Sequence, residues 1–147
     1  MGVLDKVIAK GEEIYGLIPQ KPPFVMVDNL LVWSSIRVKT SLFINENNIL
    51  SYKGFFSEAG LIEAIAQTAS LRVGMQCKID NTPVPTGFIG AIKNLKIFFL
   101  PVINTEITTE IEATFEILNA TVVLGRVFSG DALAAECEMK IFLVDNL

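Results

Sequence analysis

The most continuous apolar pattern in the chain lies at positions 57–77. A helix drawn over this segment would be apolar on nearly every side, through Leu61, Ile62, Ala64, Ile65, Ala66, Ala69, Leu71, Val73 and Met75. A helix that is apolar all round is normally buried in a larger structure. Ser57 suits the N-cap, and Glu58 suits the positive end of the helix dipole. The pattern therefore predicts one long, central, buried helix over 57–77.

The segments on both sides of this helix have strand patterns. Positions 106–117 alternate with period two, which predicts a strand with one wet face. Its predicted inward set is Ile107, Thr109, Ile111, Ala113, Phe115 and Ile117. Further strands are predicted over 24–33, 35–46, 86–100, 121–129 and 132–144. In the second of these, Ile36, Val38, Leu42 and Ile44 are expected to point inward, and in the last Ala135, Cys137, Met139, Ile141 and Leu143.

Before these strands, Leu4, Val7, Ile8 and Ile14 fit a short amphipathic helix that ends near Gly16. The predicted order is then helix, two strands, long helix, four strands. One antiparallel sheet curled around one helix is the simplest solution for this order, which places the chain in the α+β class. With 147 residues and no linker, repeat or low-complexity segment, we predict a single domain over 1–147.

Composition narrows the function classes. No apolar run reaches the roughly 18–20 residues that span a bilayer, and the N-terminus lacks the apolar core of a signal peptide, so we expect a cytoplasmic protein without a membrane span. The net charge is −4 with no basic run, which argues against a nucleic-acid partner. Cys77 and Cys137 have no metal-ligand spacing, and no cofactor is expected. The sequence has no histidine, which excludes imidazole as a base supplied by this chain.

One carboxylate, Glu63, lies inside the apolar helix, and the amide of Gln67 follows one turn later. Positions i and i+4 share a helix face, so these side chains are expected to point the same way. Glu63 is either a site acid or a solvated residue at a gap in the sheet. Gln67 contacts either a ligand or the backbone.

Four segments resemble the 3-hydroxyacyl-acyl-carrier-protein dehydratases, which have the hot-dog fold. The segment PPFVMVDNLL is similar to the first-strand signature of that family, and GLIEAIAQTAS to the start of its central helix. GFIGAIKNLKIFFLPV is similar to the strand after the helix, and ALAAECEMKIFLV to the last strand. The similarity runs from about position 18 to 144 and keeps the order of the family's segments.

The resemblance implies an acyl thioester as substrate, carried by acyl-carrier protein or coenzyme A. It also implies a catalytic dyad of a loop histidine and a helix acid from opposite subunits. Glu63 matches the acid, whereas the loop histidine has no counterpart. Three hypotheses follow: an acyl-thioester protein of dehydratase type that has lost or replaced its base, a non-catalytic subunit paired with a histidine-bearing relative, and a thioesterase that uses Glu63. We expect two hot-dog chains to pair edge to edge, as a homodimer or a heterodimer.

The thioester is expected to bind at the start of the helix. Gly60 either brings a helix amide close to the thioester carbonyl or allows tight packing. We predict an apolar tunnel that begins near Glu63 and Gly60 and runs beside the helix. Its expected lining is Phe55, Phe56, Ile62 and Phe88. The alternative is that the small residues of the helix let the sheet pack closely. Lys93 and Lys96 belong either to an ordinary exposed strand face or to a contact with an acidic carrier protein or phosphate.

Overall fold

A long helix and one antiparallel sheet make up most of the computed structural model, which describes residues 7–144. In chain order the elements are β1 (Ala9–Lys10), α1 (Glu12–Tyr15), β2 (Asn29–Trp33), β3 (Arg37–Phe43), β4 (Ser51–Tyr52), β5 (Phe55–Phe56), α2 (Glu58–Asp80), β6 (Thr86–Ile97), β7 (Glu106–Ile117), β8 (Ala120–Ser129) and β9 (Ala132–Val144). The main sheet has the strand order β1-β2-β3-β7-β8-β9-β6 and wraps around α2. The predicted architecture is confirmed. Strands β4 and β5 form a separate hairpin just before α2.

Helix α2 begins as predicted and runs one turn further than predicted. The hydroxyl of Ser57 accepts a hydrogen bond from the backbone N–H of Gly60 over 3.1 Å, which makes Ser57 the N-cap. The helix ends where Asn81 adopts a left-handed conformation with φ of 54°. The additional turn, residues 78–80, is exposed throughout, including the apolar Ile79, so the buried apolar pattern that ends at Cys77 gives no sign of it.

The inward face of β7 is predicted correctly only for its first half. Ile107, Thr109 and Ile111 are buried, but Phe115 is 60% exposed and Ile117 is 56% exposed. A β-bulge between Ala113 and Phe115 causes the difference, because one extra residue shifts all later side chains to the opposite face.

The bulge brings a charged residue to the helix side of the sheet. Glu116 pairs in register with the buried Thr121, and its carboxylate lies 3.0 Å from the guanidinium of Arg72 on α2. Glu116, expected on the wet face, therefore faces the helix, and the two apolar residues beside it face away.

Two further predictions about the first third of the chain are corrected. The predicted N-terminal helix is reduced to the single turn α1; Ile8 precedes β1, and Leu4 lies outside the described residues. Ile36 is 54% exposed, because it lies in a turn where the hydroxyl of Ser34 accepts a hydrogen bond from the N–H of Arg37. Val38, Leu42 and Ile44 are buried as predicted.

The second half of α2 packs closely on the segment after α1. A Cβ atom at Gly74 would lie 1.9 Å from the carbonyl oxygen of Leu17, a distance at which two atoms cannot coexist. Glycine is therefore required at this position if the helix and the Leu17 backbone are to stay in contact. In the described part of the chain, no helix is long and apolar enough to cross a membrane.

Candidate active site

The two polar residues predicted on one face of α2 are joined to each other. The amide nitrogen of Gln67 donates a hydrogen bond of 2.8 Å to Oε2 of Glu63. The same nitrogen donates to the carbonyl oxygen of Phe24 over 2.8 Å, and the Gln67 side-chain oxygen accepts from the N–H of Met26 over 2.6 Å. Gln67 is completely buried, whereas Glu63 is half-buried. The carboxylate is thus held by an amide whose own orientation is set by the backbone.

This arrangement favours the backbone-contacting role of Gln67 over contact with a ligand, and it leaves one carboxylate oxygen of Glu63 free to contact a bound molecule. Both ends of the Gln67 amide have protein partners, which supports the backbone-holding role of this residue. Glu63 accepts through Oε2, and its other oxygen, Oε1, accepts no hydrogen bond from the described residues. A half-buried carboxylate with one oxygen free and the other fixed is suited to exchanging a proton with a bound molecule.

Gly60 lies one turn before Glu63, and both its N–H and the space beside its Cα are already occupied by other groups of the chain. Its N–H is used by the Ser57 cap, and a Cβ atom at this position would lie 2.5 Å from the ring of Phe56. Phe56 is completely buried. The structure therefore gives Gly60 and Phe56 a packing role, and their contact with a substrate stays a prediction.

The remaining predicted lining residues lie apart from one another. Ile62 is half-buried and packs on the core, and Phe55 is 46% exposed and forms a β-bridge with Val102. Phe88 stacks on Phe142, with ring centroids 5.5 Å apart. Because Ile141 packs on the core, the adjacent Phe142 and its partner Phe88 lie on the face of the sheet away from α2. Phe88 therefore does not line a passage beside the helix within this chain, which corrects that part of the prediction.

A small cavity lies between α2 and the β6 end of the sheet. Its volume is about 30 Å³, and it is lined by apolar or small residues that include Ala69, Ser70, Val73, Gly87 and Leu143. A space of this size holds about two water molecules. An acyl chain does not fit into this cavity as it stands.

The backbone at Phe24 and Met26 is part of the site, and the sequence reasoning missed it. The sequence predicts a strand over 24–33, but β2 begins only at Asn29, and nothing in the local pattern marks this segment as the anchor of Gln67. The signal was present, since a buried amide on a helix needs backbone partners. Which segment supplies them depends on the tertiary fold.

Comparison with known proteins identifies the family. A family description of ApeP-like proteins, "ApeP dehydratase", matches residues 12–147. The chain belongs to the ApeP-like dehydratase family. A search of curated protein sequences found no match.

Solved structures confirm the hot-dog fold at low sequence identity. The chain is similar to the structure titled "The Dehydratase Heterocomplex ApeI:P from Xenorhabdus doucetiae", with 12% identity, a TM-score of 0.79 and coverage of 90% of this chain and 91% of that chain. It is also similar to Cj0977, a sigma28-regulated virulence protein from Campylobacter jejuni, with 11% identity, a TM-score of 0.70 and coverage of 92% and 90%. A hypothetical thioesterase from Streptococcus pneumoniae, solved with coenzyme A, matches with 12% identity, a TM-score of 0.62 and coverage of 80% and 85%.

Proposed function

We propose that this chain is one subunit of a heteromeric dehydratase that acts on 3-hydroxyacyl thioesters. In this proposal the thioester is carried by acyl-carrier protein or coenzyme A, Glu63 supplies the acid, and a histidine-bearing hot-dog chain supplies the base. The observation that carries the proposal is the fixed Glu63–Gln67 pair in a sequence without histidine. The chain has a positioned acid and no imidazole to work with it.

The chemistry assigns one proton transfer to each chain. The base removes the proton on the carbon next to the thioester carbonyl, and Glu63 protonates the 3-hydroxyl as it leaves as water. The electron pair of the broken C–H bond forms the new carbon–carbon double bond. Glu63 is then ionised and recovers its proton from the base or from solvent. One positioned acid or base typically contributes about 10²- to 10⁴-fold to the rate.

An exposed apolar surface beside α2 supports the proposal that a partner chain binds there. Ile89 and Ile92 lie on the helix side of β6 and are 38% and 37% exposed. On α2, the half-buried Ser70 and Val73 face the same end of the sheet, since they line the small cavity together with Gly87 of β6. β6 pairs with β9 along one side, and no described strand pairs with its other side. A second hot-dog chain added at this edge would cover these residues, and the similar solved structure is titled a dehydratase heterocomplex.

The acyl passage belongs to the same proposal. Because the cavity beside α2 is too small within this chain, we infer that a passage for the acyl chain forms between this helix face and the partner. Ile62 and Phe55 are the predicted lining residues that remain open to such a passage. In the same proposal the complex lies in the cytoplasm, where thiols such as those of Cys77 and Cys137 stay reduced.

The test combines this chain with each histidine-bearing hot-dog dehydratase chain encoded in the same genome. Co-purified complexes are assayed for dehydration of a 3-hydroxybutyryl thioester by absorbance of the product enoyl thioester. Glu63→Gln is expected to lower kcat by about 10²- to 10⁴-fold without loss of the complex. The matched control is Glu58→Gln, because Glu58 is an exposed residue in the first turn of the same helix.

Each outcome bears on the proposal. Activity that needs both chains and is lost in Glu63→Gln supports it. Full activity of the complex with Glu63→Gln would refute the assigned acid. Release of free thiol from acyl thioesters by the purified chain alone, abolished in Glu63→Gln, would replace the proposal with a thioesterase.

A further inference from the structure

The outer face of the sheet carries charges in an ordered pattern. Residues that face each other across five strands alternate in sign, and a second row one step further along the strands keeps the same pattern except at one leucine. The first row is Lys39, Glu110, Arg126, Glu136 and Lys96, and the second is Arg37, Glu112, Leu124, Glu138 and Lys93. Opposite charges on facing strands stabilise a sheet, and like charges directly opposite each other destabilise it.

Both rows end in a lysine at the free edge of β6. Lys96 faces Glu136, and Lys93 faces Glu138, each on β9. Both lysines are exposed, and neither lies within 4.0 Å of a carboxylate oxygen among residues 7–144. Oε2 of Glu136 lies 3.4 Å from Nε of Arg126, so the carboxylate that Lys96 faces is already partly neutralised by another cation.

The composition of β6 decides which strand can continue these rows. The strand reads TGFIGAIKNLKI, with two lysines and no aspartate or glutamate. If β6 paired with β6 of a second copy, no register could place a carboxylate from that strand beside Lys93 or Lys96. The only charged side chains that β6 of a second copy would bring to this edge are further lysines.

We propose that Lys93 and Lys96 select a partner chain whose edge strand carries carboxylates, and select against a second copy of this chain. This inference rests on the proposed heteromeric function and adds the chemistry of the partner's edge strand. Lysine on an edge strand also discourages unwanted pairing, which fits selection against self-association.

The experiment uses a charge-reversed copy of the same chain as the acidic partner. Wild-type chain, labelled at its N-terminus, is titrated with unlabelled wild type or with the unlabelled Lys93→Glu/Lys96→Glu variant, and binding is followed by fluorescence anisotropy. We expect the unlabelled variant to bind the labelled wild type with a Kd about tenfold lower than that of unlabelled wild type. The reason is that lysines facing lysines across the joint are replaced by glutamates facing lysines. The advantage should largely disappear at about 1 M salt, where charges more than about 3 Å apart are screened.

The control is Lys10→Glu/Lys78→Glu, which changes the net charge by the same amount at two exposed positions outside β6. This control should bind the labelled wild type no more tightly than wild type does. Before titration, the circular dichroism spectrum of each double variant is compared with that of wild type to show that the variant is folded.

Three results would overturn the inference. They are wild-type self-association as tight as the mixed pair, equal tightening by the control variant, and a mixed pair that does not respond to salt. The titration needs neither a substrate nor the natural partner. The inference can therefore fail while the heteromeric dehydratase is active, and it can hold even if no active complex is found.

Discussion

The amide of Gln67 offers the sharpest test of how the site is built. Its two ends bond to the backbone of Phe24 and Met26, and its nitrogen also holds Glu63. Gln67→Met keeps the length and approximate volume of the side chain and removes all three hydrogen bonds. We expect the substitution to destabilise the fold and to release Glu63.

The magnitude follows from the burial of the groups left behind. Met26 is 1% exposed, so its N–H would lose its partner in a place that water does not reach. An unsatisfied buried group of this kind costs about 1–3 kcal/mol. Phe24 is 54% exposed, so water can replace part of the bond to its carbonyl, and we add about 1 kcal/mol for it. The free energy of unfolding should fall by about 2–4 kcal/mol, a large part of the roughly 5–15 kcal/mol typical of a domain.

Urea unfolding measures this loss, with the single tryptophan, Trp33, as the probe. Trp33 donates a hydrogen bond to the carbonyl of Arg72 on α2, so its fluorescence should report separation of the helix from β2. Gln76→Met is the matched control, because Gln76 is on the same helix and exposed, and we expect it to change stability by less than about 0.5 kcal/mol. If Gln67→Met also changed stability by less than about 0.5 kcal/mol, the view that this amide satisfies buried backbone would be wrong.

Two further predictions concern packing and pH. Gly74→Ala should destabilise the fold by at least about 2 kcal/mol, because the new Cβ would lie 1.9 Å from the Leu17 carbonyl oxygen. Helix propensity alone predicts a gain in stability of about 1 kcal/mol, so the sign of the change measured by thermal unfolding shows which effect dominates. Burial raises the pKa of Cys137 from 9.0 to about 11. Between these values the unfolded chain loses the thiol proton first, so the free energy of unfolding should fall by about 1.4 kcal/mol per pH unit, and Cys137→Ala should show a shallower fall in urea titrations.

The sequence was informative where a pattern had one physical solution. The all-round apolar segment had to be buried, and a sheet around it was the simplest cover. The placement of Glu63 and Gln67 on one face followed from helix geometry alone. The backbone partners of Gln67 could not be predicted, because they come from residues about forty positions away that only the tertiary fold brings near.

The bulge in β7 shows why a regular pattern can mislead. Period two continues through Ile117 in the sequence, and nothing in the residue types marks the extra residue between Ala113 and Phe115. The shifted register is compatible with a contact that the local pattern does not contain, the ion pair between Glu116 and Arg72. The separate hairpin of β4 and β5 was not predictable for a related reason, since two-residue strands are too short to show any period.

Apolar and charged residues on β6 should act on different properties of the proposed assembly. Ile89 and Ile92 would lose water against any hot-dog partner of suitable shape, so their contribution to affinity does not depend strongly on which chain binds. Lys93 and Lys96 contribute little net affinity, because an exposed ion pair gains only modest Coulomb energy in water and restricts two long side chains. They penalise a second copy of the chain and favour an acidic edge, and specificity is this difference between two affinities. A chain that holds an acid but no imidazole gains from such a device, since pairing with itself would join two sites that both lack a histidine.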